Sequence, residues 1–372
     1  MRNRQLTGIS FIVPAPAAIA RCVLFLVLAC LAFWPASAAP QNLGVTKGQV
    51  IGVEFDARMV SNLDRSVAFY KLLGFSEVAG VNPSWRVDEV FNQLYGTKGV
   101  ESRMAKFTMN TNFGQQTPFT LYLREFRGIQ RRDVMKGKSP WEPGAAHICV
   151  TVPDGDALWS KLKAANMLWP RSWDGKLIPL PGQTKGGIAY ITDPDGMDIE
   201  VIEQRPAAPA ANGQPARPGD PAGFNHVGLV ILDSDKIRGF YGALLGEQFP
   251  AAPAPWINSD FTDSAVGGHG NIIRLVMGTF PLALDRDARM RFEIVEYENR
   301  KKPLEPYSIT DSGVNCVGFE VSDIDALVAR LNGAGIPLVS SGIATMSTGY
   351  RVALVRDPDV GMFVELFERP KT

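Results

Sequence analysis

The chain has 372 residues, 45% hydrophobic and 20% charged, with 38 Lys and Arg against 38 Asp and Glu. At about 100–200 residues per domain that length suggests two domains, and the composition excludes general disorder. A chain without net charge is poorly equipped to hold nucleic acid or an anionic membrane surface.

At the N-terminus, Arg2, Arg4 and Arg21 precede an apolar run of 13 residues, Cys22 to Trp34, and the small residues Pro35-Ala36-Ser37-Ala38. This is the layout of an export signal over residues 1–38, cleaved near Ala38, and implies a periplasmic or extracellular protein. Spanning a bilayer takes about 20 apolar residues, so no stable membrane span is expected once the signal is removed; Phe11 to Ala20 adds apolar length that leaves a retained anchor as the other option. Val27-Leu28-Ala29-Cys30 loosely resembles a lipoprotein cleavage box, but the apolar run continues past it. Cleavage at Ala38 leaves 35 basic and 38 acidic residues, with Cys149 and Cys316 as the only cysteines. Two cysteines make no disulfide framework, so the core must hold the fold.

Residues 205–223 are rich in Pro, Ala and Gly and read as a linker between a first domain, 48–204, and a second, 224–370. Comparing the halves exposes a repeat. The β-prone Val50-Ile51-Gly52-Val53-Glu54-Phe55 and helical Val67 to Phe75 match Phe224 to Ile231 and the helix through Phe240-Tyr241, aligning without a gap from Phe55 on His226 to Tyr70 on Tyr241 with Asp64 on Asp235, after which one extra residue brings Gly74 opposite Gly246. Both aspartates are expected to cap their helices. A second type of module follows in each half. One opens on Ala146-His147-Ile148-Cys149-Val150 and closes on Asp193-Pro194-Asp195-Gly196 and a strand through Glu200; the other opens on Asn315-Cys316-Val317-Gly318 and closes on Asp357-Pro358-Asp359 and a strand through Glu365. Strand, amphipathic helix, strand and hairpin is the pattern of each.

The helix end Phe-Tyr, one or two residues, then Leu-Leu-Gly, together with the Asp-Pro-Asp hairpin leading to a strand with Glu, resembles the vicinal oxygen chelate superfamily of glyoxalases, bleomycin resistance proteins and type I extradiol dioxygenases. The resemblance covers nearly the whole chain after the signal. It implies an α+β fold of four βαβββ modules, A to D, pairing into two open cup-shaped sheets. It also implies a divalent metal, Zn, Mn, Ni or Fe, held by one residue on the first strand and one on the last strand of each module.

Carried onto this sequence, the first-strand positions are Phe55, His147, His226 and Cys316. A shared Glu-x-x-Glu registers the last-strand positions as Glu200, Glu293 and Glu365, and in module A the matching stretch puts Tyr122 there, three residues before Glu125. Module A therefore lacks both ligand types. If neighbouring modules pair, C with D offers His226, Glu293 and Glu365, with Cys316 as a possible fourth. If the middle modules pair, B with C offers His147, Glu200, His226 and Glu293.

What the resemblance implies is a metal-dependent lyase, isomerase or dioxygenase acting on a small oxygenated substrate, with Glu293 and Glu200 as catalytic carboxylates; the other reading is a metal-free small-molecule binder like the bleomycin resistance proteins. A glutathione-dependent glyoxalase I is disfavoured for an exported chain, since its thiol cosubstrate is cytosolic. Phe55, Tyr122, Trp85, Trp141 and Trp256 are either cup walls or ordinary core. His269, in Gly267-Gly268-His269-Gly270-Asn271, reads as a loop histidine or a substrate-side acid or base. Cys149 shares a strand face with His147 and has no assigned role.

Overall fold

The computed structural model describes residues 47–111, 118–144, 146–181, 186–203, 223–234, 237–245, 255–281, 289–300, 302, 305–358 and 361–370. Residues 1–38, read from the sequence as an export signal, nearly all of the stretch read as a linker, and Asp235 lie outside the described residues. Module A supplies β1 (Val50–Met59), α1 (Leu63–Leu72), β2 (Ser76–Val78), β3 (Arg86–Val87), α2 (Glu89–Tyr95), β4 (Glu101–Asn110) and β5 (Pro118–Arg127). Module B supplies β6 (Ala146–Val152), α3 (Gly155–Ala164), β7 (Ile178–Pro179), β8 (Gly187–Thr192) and β9 (Asp198–Glu203). Module C contains β10 (Gly223–Ile231), α4 (Ile237–Leu245), α5 (Asp260–Val266), β11 (Ile273–Pro281) and β12 (Arg289–Tyr297). Module D contains β13 (Val314–Val321), α6 (Ile324–Gly333), β14 (Ala344–Thr345), β15 (Arg351–Arg356) and β16 (Phe363–Glu368).

The strands form two curled sheets, so the fold is the expected α+β arrangement of paired modules. One runs β14-β15-β16-β13-β1-β5-β4-β2, with β3 beside β4, and the other runs β11-β12-β10-β6-β9-β8-β7. The antiparallel pairs β6 with β10 and β1 with β13 therefore join module B to C and module A to D. The ranges 48–204 and 224–370 are units of sequence and not of folding, because each gives one module to each sheet.

The two motifs that mark the repeat meet in space. Tyr70, from the Phe-Tyr of α1, donates to Asp193 Oδ2 of the Asp-Pro-Asp hairpin at 2.8 Å, and Ser66 and the Ser61 amide donate to Asp195. In the second half Tyr241 interacts with Asp357 of the matching hairpin, and burial together with that carboxylate raises its phenol well above the usual range. Each tyrosine pins its module's helix to the hairpin of the next module. Asn62, not Asp64, caps α1, accepting from the Arg65 amide, while Asp64 sits in the first turn and pairs with Arg103. Asp154 and Asp323 cap α3 and α6. Helices α1, α3, α4 and α6 and the helix-facing sides of both sheets share one core, through Phe69, Tyr70, Leu162, Val150, Phe224, Tyr241, Val317 and Leu331, which leaves the concave faces on the other side of the sheets.

Candidate metal centre

Four parallel strand pairs set the inner face of the cups. Across them Cys149 lies beside Glu200, Gly228 beside Glu293, Gly318 beside Glu365 and Ala57 beside Tyr122. The first-strand positions His147, His226, Cys316 and Phe55 stand two residues earlier, and side chains two apart share a face. The four modules thus present equivalent positions in equivalent register.

In the B–C cup this brings His147, Glu200, His226 and Glu293 together, with one ligand atom from each lying within 4.8 Å of all the others. The two Nε2 atoms are 3.1 Å apart. Glu200 Oε2 lies 3.0 Å from His226 Nε2 and 3.7 Å from His147 Nε2, and Glu293 Oε2 lies 3.4 and 3.2 Å from the same atoms. His147, Glu200 and His226 are buried. Burial disfavours charge on Glu293, yet His226 and His147 beside it bring its carboxyl well below the ordinary range. Burial likewise opposes an imidazolium at His226, and Cys149, Glu293 and Glu200 outweigh it. A buried and a half-buried carboxylate this close together are costly unless a cation compensates them. Among the described residues the buried Glu200 Oε2 has the ring nitrogens close by but no hydrogen bond of good geometry. Two imidazole nitrogens and two carboxylate oxygens at this spacing suit a first-row divalent ion, whose N and O ligands lie about 2.0–2.2 Å away.

Packing holds His147. A Cβ on Gly228 would lie 1.9 Å from its Cε1, so the ring rests on a position that tolerates only glycine. Tyr190, beside Glu200 on β8, meets the same ring edge to face at 5.3 Å. The Cys149 thiol, raised first by burial and then by Glu200, touches His226 and Glu200, a neighbourhood that strand alternation alone foreshadowed. Beyond the four, Val230, Val295 and Tyr297 continue the inner face as an apolar cluster against which Trp141 packs.

The A–D cup is built on the same plan and filled differently. Phe55 rests on Gly318 as His147 rests on Gly228. Glu365 is not brought to the other four residues: it is fully buried in this second cup and bonded to Arg124 at 2.8 Å. Tyr95, from α2, also bonds Arg124 and lies 3.4 Å from Glu365. The guanidinium stacks near Phe55, Phe91 and Tyr122 at 5.3, 4.9 and 5.6 Å. Cys316 is buried beside Glu365 and Arg124, its thiol raised by burial. This cup is occupied by protein. Arg124 was not singled out in the sequence, although it stands two residues after Tyr122 and so on the same face.

Of the other residues singled out, Trp85 lies between the guanidiniums of Arg103 and Arg127, and Trp256 lies under Arg274. His269 is exposed and stacks on Trp173 at 4.6 Å, outside the cluster of four.

Two family models match the chain, over residues 57–201 and 225–354, and both describe the Glyoxalase/Bleomycin resistance protein/Dioxygenase superfamily. The chain belongs to this superfamily. Among solved structures it is similar to glyoxalase I from Zea mays, at 17% identity over 85% of this chain and 92% of that one, with a TM-score of 0.51. Two mutants of the maize enzyme match alike, at 16% and 17% identity, over 85% of this chain in both cases and 93% and 92% of theirs, with TM-scores of 0.51 and 0.50. At that identity the likeness is one of fold. No curated protein matches the sequence. The superfamily binds small molecules, and among the described residues no helix is long and apolar enough to cross a membrane.

Proposed function

We propose that the protein is an exported, glyoxalase-like metalloenzyme of lyase, isomerase or dioxygenase type acting on a small oxygenated substrate. The observation that carries the reading is the convergence of His147, Glu200, His226 and Glu293, from two modules 79 residues apart at the histidines, on one point of the B–C cup. These four would hold a divalent ion, and the ion would polarise adjacent oxygens of the substrate as a Lewis acid. Glu293 is the more open carboxylate, its side chain 13% exposed against 8% for Glu200, and so the better placed to take a substrate proton at Oε2. The apolar stretch of Val230, Val295 and Tyr297 excludes water from one side of the cup. Export rests on the basic, apolar and small-residue order of residues 1–38.

The test is metal content of untagged protein purified after growth with Zn, Mn, Ni and Fe supplied in turn. One equivalent of metal per chain, lost in His226→Ala and Glu293→Ala, is expected. No metal under any supply refutes the metalloenzyme and leaves a metal-free small-molecule binder, for which binding of oxygenated compounds is then measured directly. Export is checked by fractionating cells that express the full chain: a product shortened at its N-terminus outside the cytoplasm is expected, and intact cytoplasmic protein refutes it.

A further inference from the structure

The two histidines of the B–C cup are oriented by different means, and the difference points to a residue outside the four. His147 is wedged by Gly228 and Tyr190. His226 is held from its other nitrogen, with Nδ1 3.2 Å from Asn225 Oδ1. Neighbouring strand residues normally face opposite sides. Here the pairing of β10 with β6 steps from Phe224–Val150 to His226–Cys149, which leaves Asn225 as an extra, bulged residue. A bulge re-aims side chains, and this one lets Asn225 reach the ring next to it. The bulge belongs to the scaffold, because β1 makes the same step around Glu54, immediately before Phe55. There the bulged side chain pairs with Arg369 instead. Only in module C does it serve a histidine.

The amide has a second buried partner. Asn225 Nδ2 donates to Thr151 Oγ1 at 3.1 Å, and both residues are buried. With Nδ2 turned to the hydroxyl, Oδ1 faces His226 and can only accept. The Nδ1 of His226 must then carry a proton, so in the neutral ring Nε2, the atom aimed at Glu200, Glu293 and His147, keeps its lone pair.

We propose that Asn225, backed by Thr151, is the positioning residue of this site, setting the His226 tautomer and ring angle that a divalent cation requires. The inference rests on the metal reading above and has its own readouts. Metal-ligating histidines depend on such partners, and losing one costs about 10–100-fold in affinity.

The experiment measures Zn(II) affinity by chelator competition in wild type, Asn225→Leu, Asn225→Asp and Thr151→Val, with the ring tautomer read from 15N–1H correlations of the zinc-loaded wild type. Asn225→Leu should bind about 10–100-fold more weakly. Asn225→Asp keeps an acceptor and should restore wild-type affinity or better, while Thr151→Val should fall between. His226 should carry its proton on Nδ1. Wild type that binds no zinc defeats the metal reading itself. Wild type that binds zinc with the His226 proton on Nε2 overturns the role of Asn225, as does Asn225→Leu binding like wild type. Should Asn225→Leu fail to fold, Thr151→Val decides: zinc affinity equal to wild type overturns the role of Asn225.

Discussion

Replacing Arg124 by Met separates the two accounts of the second cup, electrostatic compensation and simple filling. Met matches the aliphatic length of Arg and keeps contact with Phe55, Phe91 and Tyr122, but leaves the fully buried Glu365 carboxylate with no cation and only the Tyr95 hydroxyl and the Cys316 thiol beside it among the described residues. Removing one member of a buried ion pair typically costs about 3–5 kcal/mol, because the survivor is an uncompensated charge. Removing both members and filling the space with apolar atoms is often neutral. Denaturant unfolding of Arg124→Met, Glu365→Leu and the double variant should therefore show each single variant less stable than the double. The double variant should stay near wild type. Zinc affinity at the B–C cup should be unchanged in all three. Losses that simply add, with the double variant the least stable, would refute compensation and leave Arg124 as packing.

Gly228→Ala puts a Cβ within 2.6 Å of three atoms of the His147 ring; it should abolish zinc binding in protein that stays folded by circular dichroism. Gly318→Ala makes the same collision with Phe55 and should lower thermal stability while leaving zinc binding intact. Burial, and then Asp193, push Asp195 up from 3.8 to about 6. A carboxyl raised in the folded state stabilises below its unfolded value and loses that contribution as pH rises through the folded one, so between about pH 4 and 6 stability should decline by roughly 3 kcal/mol. Asp195→Asn should flatten that slope, read from denaturant midpoints at a series of pH values; an unchanged slope removes Asp195 from the account. Adding zinc in excess of its dissociation constant should raise the melting temperature, and chelator should reverse it; equal values with and without metal would place no ion in the native state.

The register of the cups was legible because strand periodicity and the second glutamate of Glu-x-x-Glu carry it. That second residue serves one structural purpose in two modules: Glu125 accepts from the Leu63 amide and Glu296 from the Ser234 amide, in each case where the helix follows the first strand. Glu368 pairs with Arg351. Since the second glutamate is fixed to the outer face, the residue three before it must face the cup. Pairing was not legible, because the inner faces look alike whichever strand edge meets which. The same gap misplaced Glu365, whose partner Arg124 lies 241 residues away in another module. Asn62 caps α1 where the sequence points equally to Asp64, because either residue type can fill the position and a two-residue shift is invisible without the backbone.

Pairing also explains why one cup is built for an ion and the other is filled. A centre that draws two ligands from each of two modules is lost when either module changes, whatever the other keeps. Phe55 and Tyr122 remove module A's share, and Glu365 of module D is then left buried without a cation. Of the remedies open to the chain, removing Glu365 would leave a hole beside Phe55. Arg124 instead supplies a positive charge from the face that already points inward, and Tyr95 fills the remaining space from α2. In the B–C cup the corresponding positions along β12 and α5 are Val295 and Val266, which bring no charge. With no guanidinium within the cluster, charge balance for Glu200 and Glu293 there falls to the two histidines or to a metal ion. The same argument predicts where a second centre cannot be rebuilt: restoring histidine at Phe55 and Cys316 and glutamate at Tyr122 should yield no second equivalent of zinc unless Arg124 is removed as well.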